Sequence, residues 1–152
     1  MTETFTIKMG EMCTAHNPAV LESSGVGSCL VVILYDPETR LGGLAHAMLP
    51  HAIGGQSPSP RFVDEAINQM LVELTAKGVP KSRLIAKLIG GAHMFALYGD
   101  QEHGIGVKNV DAAKQKLREE GIAVTSEETG GTVGRNVRFD LQTGICSVET
   151  KM

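Results

Sequence analysis

The segment Ser23-Ser24-Gly25-Val26-Gly27-Ser28-Cys29 carries the side chain best suited to covalent chemistry in this chain. Its thiol stands directly before Leu30-Val31-Val32-Ile33-Leu34-Tyr35, the longest apolar run in the sequence. Such a run reads as a strand buried on both faces. Cys29 then lies at the mouth of that strand, where a sulfur can face a cleft. Gly25 and Gly27 allow the backbone to turn sharply and to approach other groups closely. Neighbouring amide N–H groups, that of Cys29 included, can converge on one point and form an oxyanion site. The glycine spacing does not suit a dinucleotide, because Leu30 occupies the third glycine position, and no Walker lysine follows.

A thiol attacks as its thiolate, and an adjacent imidazole both lowers the thiol pKa and carries the proton. His46 lies seventeen residues beyond Cys29 (46 − 29), in Ala45-His46-Ala47-Met48-Leu49-Pro50. The run Leu41 to Met48 is expected to pair with the Cys29 strand as a hairpin turned at Asp36-Pro37 and Thr39. That pairing would bring His46 towards the sulfur. His51, His93 and His103 are rival bases, and His93 is the strongest because it follows the close-approach pair Gly90-Gly91. Cys13 and His16 have Cys-x-x-His spacing but no matching second pair, so no metal site is expected. Cys146 reads as a core thiol in the last strand. Glu119-Glu120 and Glu127-Glu128 read as solvent-facing.

Positioning these groups falls to a mixture of strands and helices. Thr4 to Met9 alternates Phe5, Ile7 and Met9 with polar neighbours, as a half-buried strand does. A loop is expected through Asn17-Pro18, and an irregular surface loop from Pro50 to Pro60. Arg61 to Lys77 sets Phe62, Val63, Ala66, Ile67, Met70, Leu71 and Leu74 on one helical face, with Gly78 and Pro80 as stops. Leu84 to Ile89 reads as a buried strand ending at Gly90-Gly91. A second helix is predicted from Val110 to Glu120, with Asn109 as N-cap and Gly121 as stop. Ile122 to Ser126, Val137 to Leu141 and Ile145 to Glu149 read as closing strands, the last two turned at Thr143-Gly144. Hairpins mixed with isolated helices point to an α+β fold and not to a doubly wound parallel sheet.

Composition bounds the function. The 152 residues are 42% apolar and 20% charged with net charge −3, which suits one globular domain over 1–152 and excludes disorder. That charge gives no nucleic-acid footprint. With no Trp and 4% aromatics, the core must be aliphatic and no ring platform exists for stacking. The first residues carry Glu3 and Glu11 and no apolar leader core. No apolar run approaches the ~20 residues of a membrane span. The expected setting is the cytoplasm, with Cys13, Cys29 and Cys146 as free thiols and no membrane insertion.

Five stretches carry a resemblance: GVGSC (25–29), HAMLP (46–50), KLIGGAHMF (87–95), GIGVKN (104–109) and GGTVGRNVRF (130–139). In this order and spacing they resemble the CheD family, the chemoreceptor glutamine deamidases of bacterial and archaeal chemotaxis. The resemblance runs from about Met9 to the last strand. It implies a single-domain layered sandwich of mixed β-sheets flanked by helices, like the cysteine deamidase domains of some bacterial toxins. It also implies a Cys-His-Thr site in which Cys29 is the nucleophile and His46 the acid–base. The family's threonine falls on Ser23, which keeps the hydroxyl but lacks the methyl that restricts χ1. Ser24 is an alternative for that role. Lys108 stands where the family usually has arginine, so a bidentate contact there would not survive unchanged.

The implied reaction converts a receptor glutamine to glutamate with release of ammonia, through a thioester on Cys29 and an oxyanion held by backbone N–H groups of Gly27, Ser28 and Cys29. No cofactor is implied. Receptor methyl esters are a possible side substrate. The implied partners are chemoreceptor signalling domains and a CheC-type phosphatase, and the alternative function is a binding module that stimulates that phosphatase. Gly90-Gly91 and Gly130-Gly131 are expected to form turns that wall the Cys29 cleft. Arg135 is expected in a surface ion pair, with a partner carboxylate as the other reading.

Overall fold

The apolar run that begins at Leu30 forms the central strand β4 (Leu30–Asp36), every residue of which is buried. The computed structural model, which describes residues 2–52, 54, 57–94 and 104–151, shows how. Successive strand side chains point to opposite faces. Leu30, Val32 and Leu34 face a core shared with the helices, whereas Val31, Ile33 and Tyr35 face a core shared with a second sheet. β4 is therefore covered on both sides, in the middle layer of a sandwich.

That middle sheet has the order β2 (Met12–His16), β5 (Leu41–Ala47), β4, β6 (Ile85–Gly90), β7 (Ala123–Thr129). β4 and β5 form the expected antiparallel hairpin. β6 and β7 are parallel, joined across α2 (Ile105–Glu119). The outer sheet has the order β1 (Glu3–Thr6), β3 (Ala19–Val26), β8 (Gly134–Asp140), β9 (Ile145–Lys151). On the opposite side of the middle sheet lie α1 (Val63–Ala76) and α2. Ile67, Met70 and Leu74 of α1 and Ala113 and Leu117 of α2 pack there against Val32, Leu34 and Leu88. Each such side chain contributes roughly 1.5–3 kcal/mol on burial, so an aliphatic core without Trp suffices. The fold is α+β, with two mixed sheets and helices flanking one of them. Among the described residues no helix is long and apolar enough to cross a membrane.

Two differences from the sequence reading bear on the site. The stretch expected as a loop through Asn17-Pro18 is the junction between β2 and β3. Both strands were obscured because β2 is a half-exposed edge and β3 ends in the polar run Glu22-Ser23-Ser24-Gly25. In addition, α2 starts at Ile105 and not at Val110, with Gly104 as its uncapped N-cap residue. Asn109 lies inside the helix, fully buried, and its side-chain amide bonds carbonyls outside the helix instead of capping it.

Candidate active site

β3 and β4 belong to different sheets, and the chain passes between them over Gly27-Ser28-Cys29. Cys29 is buried in the bend that enters β4, two residues before Val31. His46 on β5 is directly opposite Val31. Opposed residues share a face, so His46 stands with Val31 on the face between the sheets.

Ser23 joins them from the other sheet. Its hydroxyl donates to the Ile7 carbonyl at 2.5 Å and lies 2.7 Å from His46 Nδ1. A serine hydroxyl has one hydrogen. With that hydrogen on Ile7, the second bond must run from Nδ1–H to the serine oxygen. The neutral imidazole therefore carries its proton on Nδ1 and keeps a lone pair on Nε2. Nε2 is buried and has no hydrogen-bond partner among the described residues.

Alternation along β3 turns Ser23 inward with Ala19 and Leu21, and a β-bulge follows it. Ser23 pairs with Val137 and Val26 with Arg135, so β3 takes three steps where β8 takes two. The extra residue resets the alternation, and Ser23 and Val26 are both buried while Ser24 and Gly25 are exposed. Of the two serines that the sequence leaves open, Ser23 is the one at the imidazole, and Ser24 faces outward.

Burial pushes the Cys29 thiol pKa up, offset in part by its own backbone N–H. Burial pushes His46 down from 6.5. Both shifts favour a neutral thiol beside a neutral imidazole. The expected lowering of the thiol pKa is absent from the resting site, because a desolvated His46 does not carry the positive charge that would stabilise a thiolate. Cys146, as expected of a core thiol, is pushed up to about 11 by burial.

The backbone around Cys29 is fixed by its carbonyls. Gly27 O accepts from Ala92 N–H at 2.9 Å, Cys29 O from Gly91 N–H at 2.8 Å, and Ser28 O from Asn109 Nδ2 at 2.9 Å. In a trans peptide the N–H points away from the carbonyl. The Ser28 and Cys29 N–H groups are thus turned from these partners, and among the described residues neither donates a backbone bond.

The glycine turns form the wall behind the thiol. Gly90 has φ 120°, and a Cβ there would stand 2.5 Å from Cys29 O and 2.7 Å from Val26 Cγ1, so only glycine fits. Gly130 N–H donates to Gly90 O at 2.9 Å. Arg135 corrects the surface expectation: it is buried and donates to Gly90 O at 3.3 Å, Gly130 O at 3.0 Å and Glu128 Oε2 at 3.2 Å. It clamps the two turns together.

Among the described rival bases His93 is the one near the Gly27–Cys29 loop, since Ala92 N–H bonds Gly27 O and Met94 packs against Gly27, and its Nε2 is buried without a partner among the described residues. His51 is exposed and pairs with Asp64 at 3.0 Å. His93 is half-buried beyond Gly91, its backbone N–H on Gly131 O at 2.9 Å. His103 lies outside the described residues. Cys13 and His16 differ by three positions on β2 and so point to opposite faces. Among the described residues no three metal-ligating side chains converge. Lys108 is exposed on α2. The sequence reading missed Ile7 O, for which a backbone acceptor leaves no signal, and the buried contacts of Asn109, which look like a helix cap in sequence.

Fold and site together define a class: a small α+β sandwich with a serine-held imidazole buried between its sheets and a buried thiol in the bend that enters the central strand, residue types that cysteine hydrolases use for acyl transfer. The family model for CheD chemotactic sensory transduction matches residues 48–150. A Geobacter metallireducens protein named probable chemoreceptor glutamine deamidase CheD 2 is 41% identical over 97% of this chain and 94% of its own length. The chemoreceptor glutamine deamidase CheD of Thermotoga maritima is 39% identical over 91% of this chain and 86% of its own. A probable chemoreceptor glutamine deamidase CheD of Pyrococcus horikoshii is 40% identical over 91% and 86%. The chain belongs to the CheD family.

Proposed function

We propose that this protein deamidates glutamine side chains of chemoreceptors, with Cys29 as nucleophile, His46 as acid–base and Ser23 as the group that orients the imidazole. The observation that carries this reading is the Ser23–His46 bond, which fixes the imidazole proton on Nδ1 and leaves the Nε2 lone pair without a partner among the described residues. The names of the relatives supply the substrate class.

The resting pair is neutral, so proton transfer accompanies attack. The Cys29 sulfur bonds to the carboxamide carbon as its proton passes to His46 Nε2. The oxyanion is received by the Ser28 and Cys29 N–H groups, donors of a kind worth roughly 10²–10³ in kcat each. His46 returns the proton to the nitrogen, the C–N bond breaks, and ammonia leaves a thioester. Water then attacks the thioester while giving a proton to Nε2. The C–S bond breaks, the proton returns to sulfur, and glutamate remains. The same steps on a glutamyl methyl ester would release methanol.

A protein substrate is favoured over a small amide by the exposed apolar side chains on segments bordering the site. Met9 precedes Gly10, whose N–H bonds His46 O at 2.7 Å, and Met94 packs against Gly27. A CheC-type phosphatase would dock on this same border, and then it must compete with receptor. The test is ammonia release from a purified receptor signalling domain, compared with free glutamine. Release from the receptor only, falling at least 100-fold in His46→Ala, supports the reading. Equal turnover of free glutamine contradicts it. Simultaneous binding of receptor and phosphatase contradicts the shared border.

A further inference from the structure

One buried side chain outside the thiol–imidazole pair touches both of the segments that carry it. Asn109 is fully buried on α2. Its Nδ2 donates to Ser28 O at 2.9 Å and to Met48 O at 3.1 Å. Two carbonyl partners require the nitrogen at that position, which fixes the orientation of the amide. Ser28 is the residue before Cys29, and Met48 lies two residues after His46. A single carboxamide therefore ties the nucleophile's loop to the end of the base's strand. The helix comes this close because residue 106 is glycine: a Cβ there would stand 2.5 Å from both Gly91 O and Ala92 O.

The bond to Ser28 O has a chemical consequence. Ser28 O and the Cys29 N–H belong to one planar peptide. Holding the oxygen towards α2 turns the N–H of Cys29, the residue that carries the sulfur, to the other side. An oxyanion on a carbon bonded to that sulfur forms within reach of the same N–H. Rotation of this peptide would swing the donor away and present a carbonyl oxygen in its place. Gly91 and Ala92 hold the flanking carbonyls, but those belong to the neighbouring peptides. Among the described residues, the Ser28–Cys29 peptide has only Asn109 as a side-chain or backbone partner for its oxygen.

We propose that Asn109 is a positioning residue for acyl chemistry at Cys29, fixing the Ser28–Cys29 peptide with its N–H turned to the oxyanion. This rests on the reading of Cys29 as nucleophile. Asn109 does not touch the substrate and acts through the peptide it holds.

The test compares two reactions of the same sulfur. Deamidation builds an oxyanion. Alkylation by iodoacetamide displaces iodide and builds none. Asn109→Ala is expected to lower kcat on the receptor about 100-fold, to leave KM within about threefold, and to leave the alkylation rate of Cys29 within about threefold. Asn109→Ser, which leaves a smaller cavity and keeps one donor, is expected to lose at least about tenfold in kcat with the same pattern. Near-wild-type kcat in either folded variant overturns the proposal. So does an equal fall in kcat and alkylation, which would mean that Asn109 holds the thiol and not the peptide. Failure of both variants to fold also overturns it, since the residue would then be structural. Cys29→Ala is the separate control: activity in that variant would remove the nucleophile reading itself, whatever the Asn109 variants do.

Discussion

Replacing Ser23 by alanine removes one oxygen and leaves two buried groups without partners. The hydroxyl takes the His46 Nδ1–H at 2.7 Å and fills the Ile7 carbonyl at 2.5 Å, and Ser23 is fully buried. A buried polar group that loses its partner costs about 1–3 kcal/mol, so with two such groups Ser23→Ala should lose about 2–6 kcal/mol of stability, less if a water enters. The effect on rate follows from the charge that His46 acquires when it takes the thiol proton. A hydrogen bond to a charged group is worth about 1.5–3 kcal/mol. At about 1.4 kcal/mol per decade, kcat should fall roughly 10- to 100-fold. Ser23→Thr keeps the oxygen and adds a methyl that narrows χ1, so it should retain activity within about threefold. The assay is ammonia release from saturating receptor, with thermal unfolding measured on the same samples. Wild-type kcat in Ser23→Ala would refute the tautomer assignment. A threonine variant as impaired as the alanine variant would show that packing, not the hydroxyl, is what matters.

Other perturbations test separate parts of the site. Burial holds His46 below 6.5, so the acid limb of kcat/KM should have its midpoint below pH 6.5, and a midpoint at or above 6.5 would count against the neutral pair. The same shift carries a stability effect. The unfolded chain binds a proton at His46 that the folded chain refuses, so stability is complete above about pH 6.5 and declines as pH falls. Melting temperatures at pH 7.5 and 5.5 should show that decline in wild type and a smaller one in His46→Gln. Alkylation of Cys29 should keep rising above pH 9, because burial raises its thiol pKa above 9.0, and a rate already level at pH 8 would mean a standing thiolate. Gly90→Ala places a methyl 2.5 Å from Cys29 O at a φ of 120°. Strain and overpacking together should cost about 2–5 kcal/mol, read as a lower unfolding midpoint along with lost activity.

Much of this arrangement is legible in the sequence, for physical reasons that can be named. The Leu30–Tyr35 run announces a doubly covered strand because no other environment suits six apolar residues in succession. Hairpin pairing with Leu41–Ala47 follows from the Asp36-Pro37 turn, and it puts His46 opposite Val31. Ser23 is in step with Ala19 and Leu21, so alternation selects it over Ser24 once β3 is recognised as a strand, and the bulge at Ser24-Gly25 then returns Val26 to the same face. β3 stays hidden because its last turns are polar, and their polarity serves the site rather than the core. Asn109 is misread as a cap because the residue types that cap helices are also those that can bond distant carbonyls. Arg135 reads as a surface charge because nothing in sequence shows that three carbonyl and carboxylate oxygens will surround it. The pKa of Cys29 depends on depth of burial, which the run of residues does not encode.

The account stands or falls on covalent attack by one sulfur. The direct measurement is ammonia release from a purified chemoreceptor signalling domain by wild type and Cys29→Ala side by side, with mass spectrometry of the receptor to locate each converted glutamine and thermal unfolding to confirm the fold. The account predicts stoichiometric ammonia and new glutamates with wild type, and neither above background with a folded Cys29→Ala protein. Glutamine conversion at a comparable rate in Cys29→Ala would contradict it.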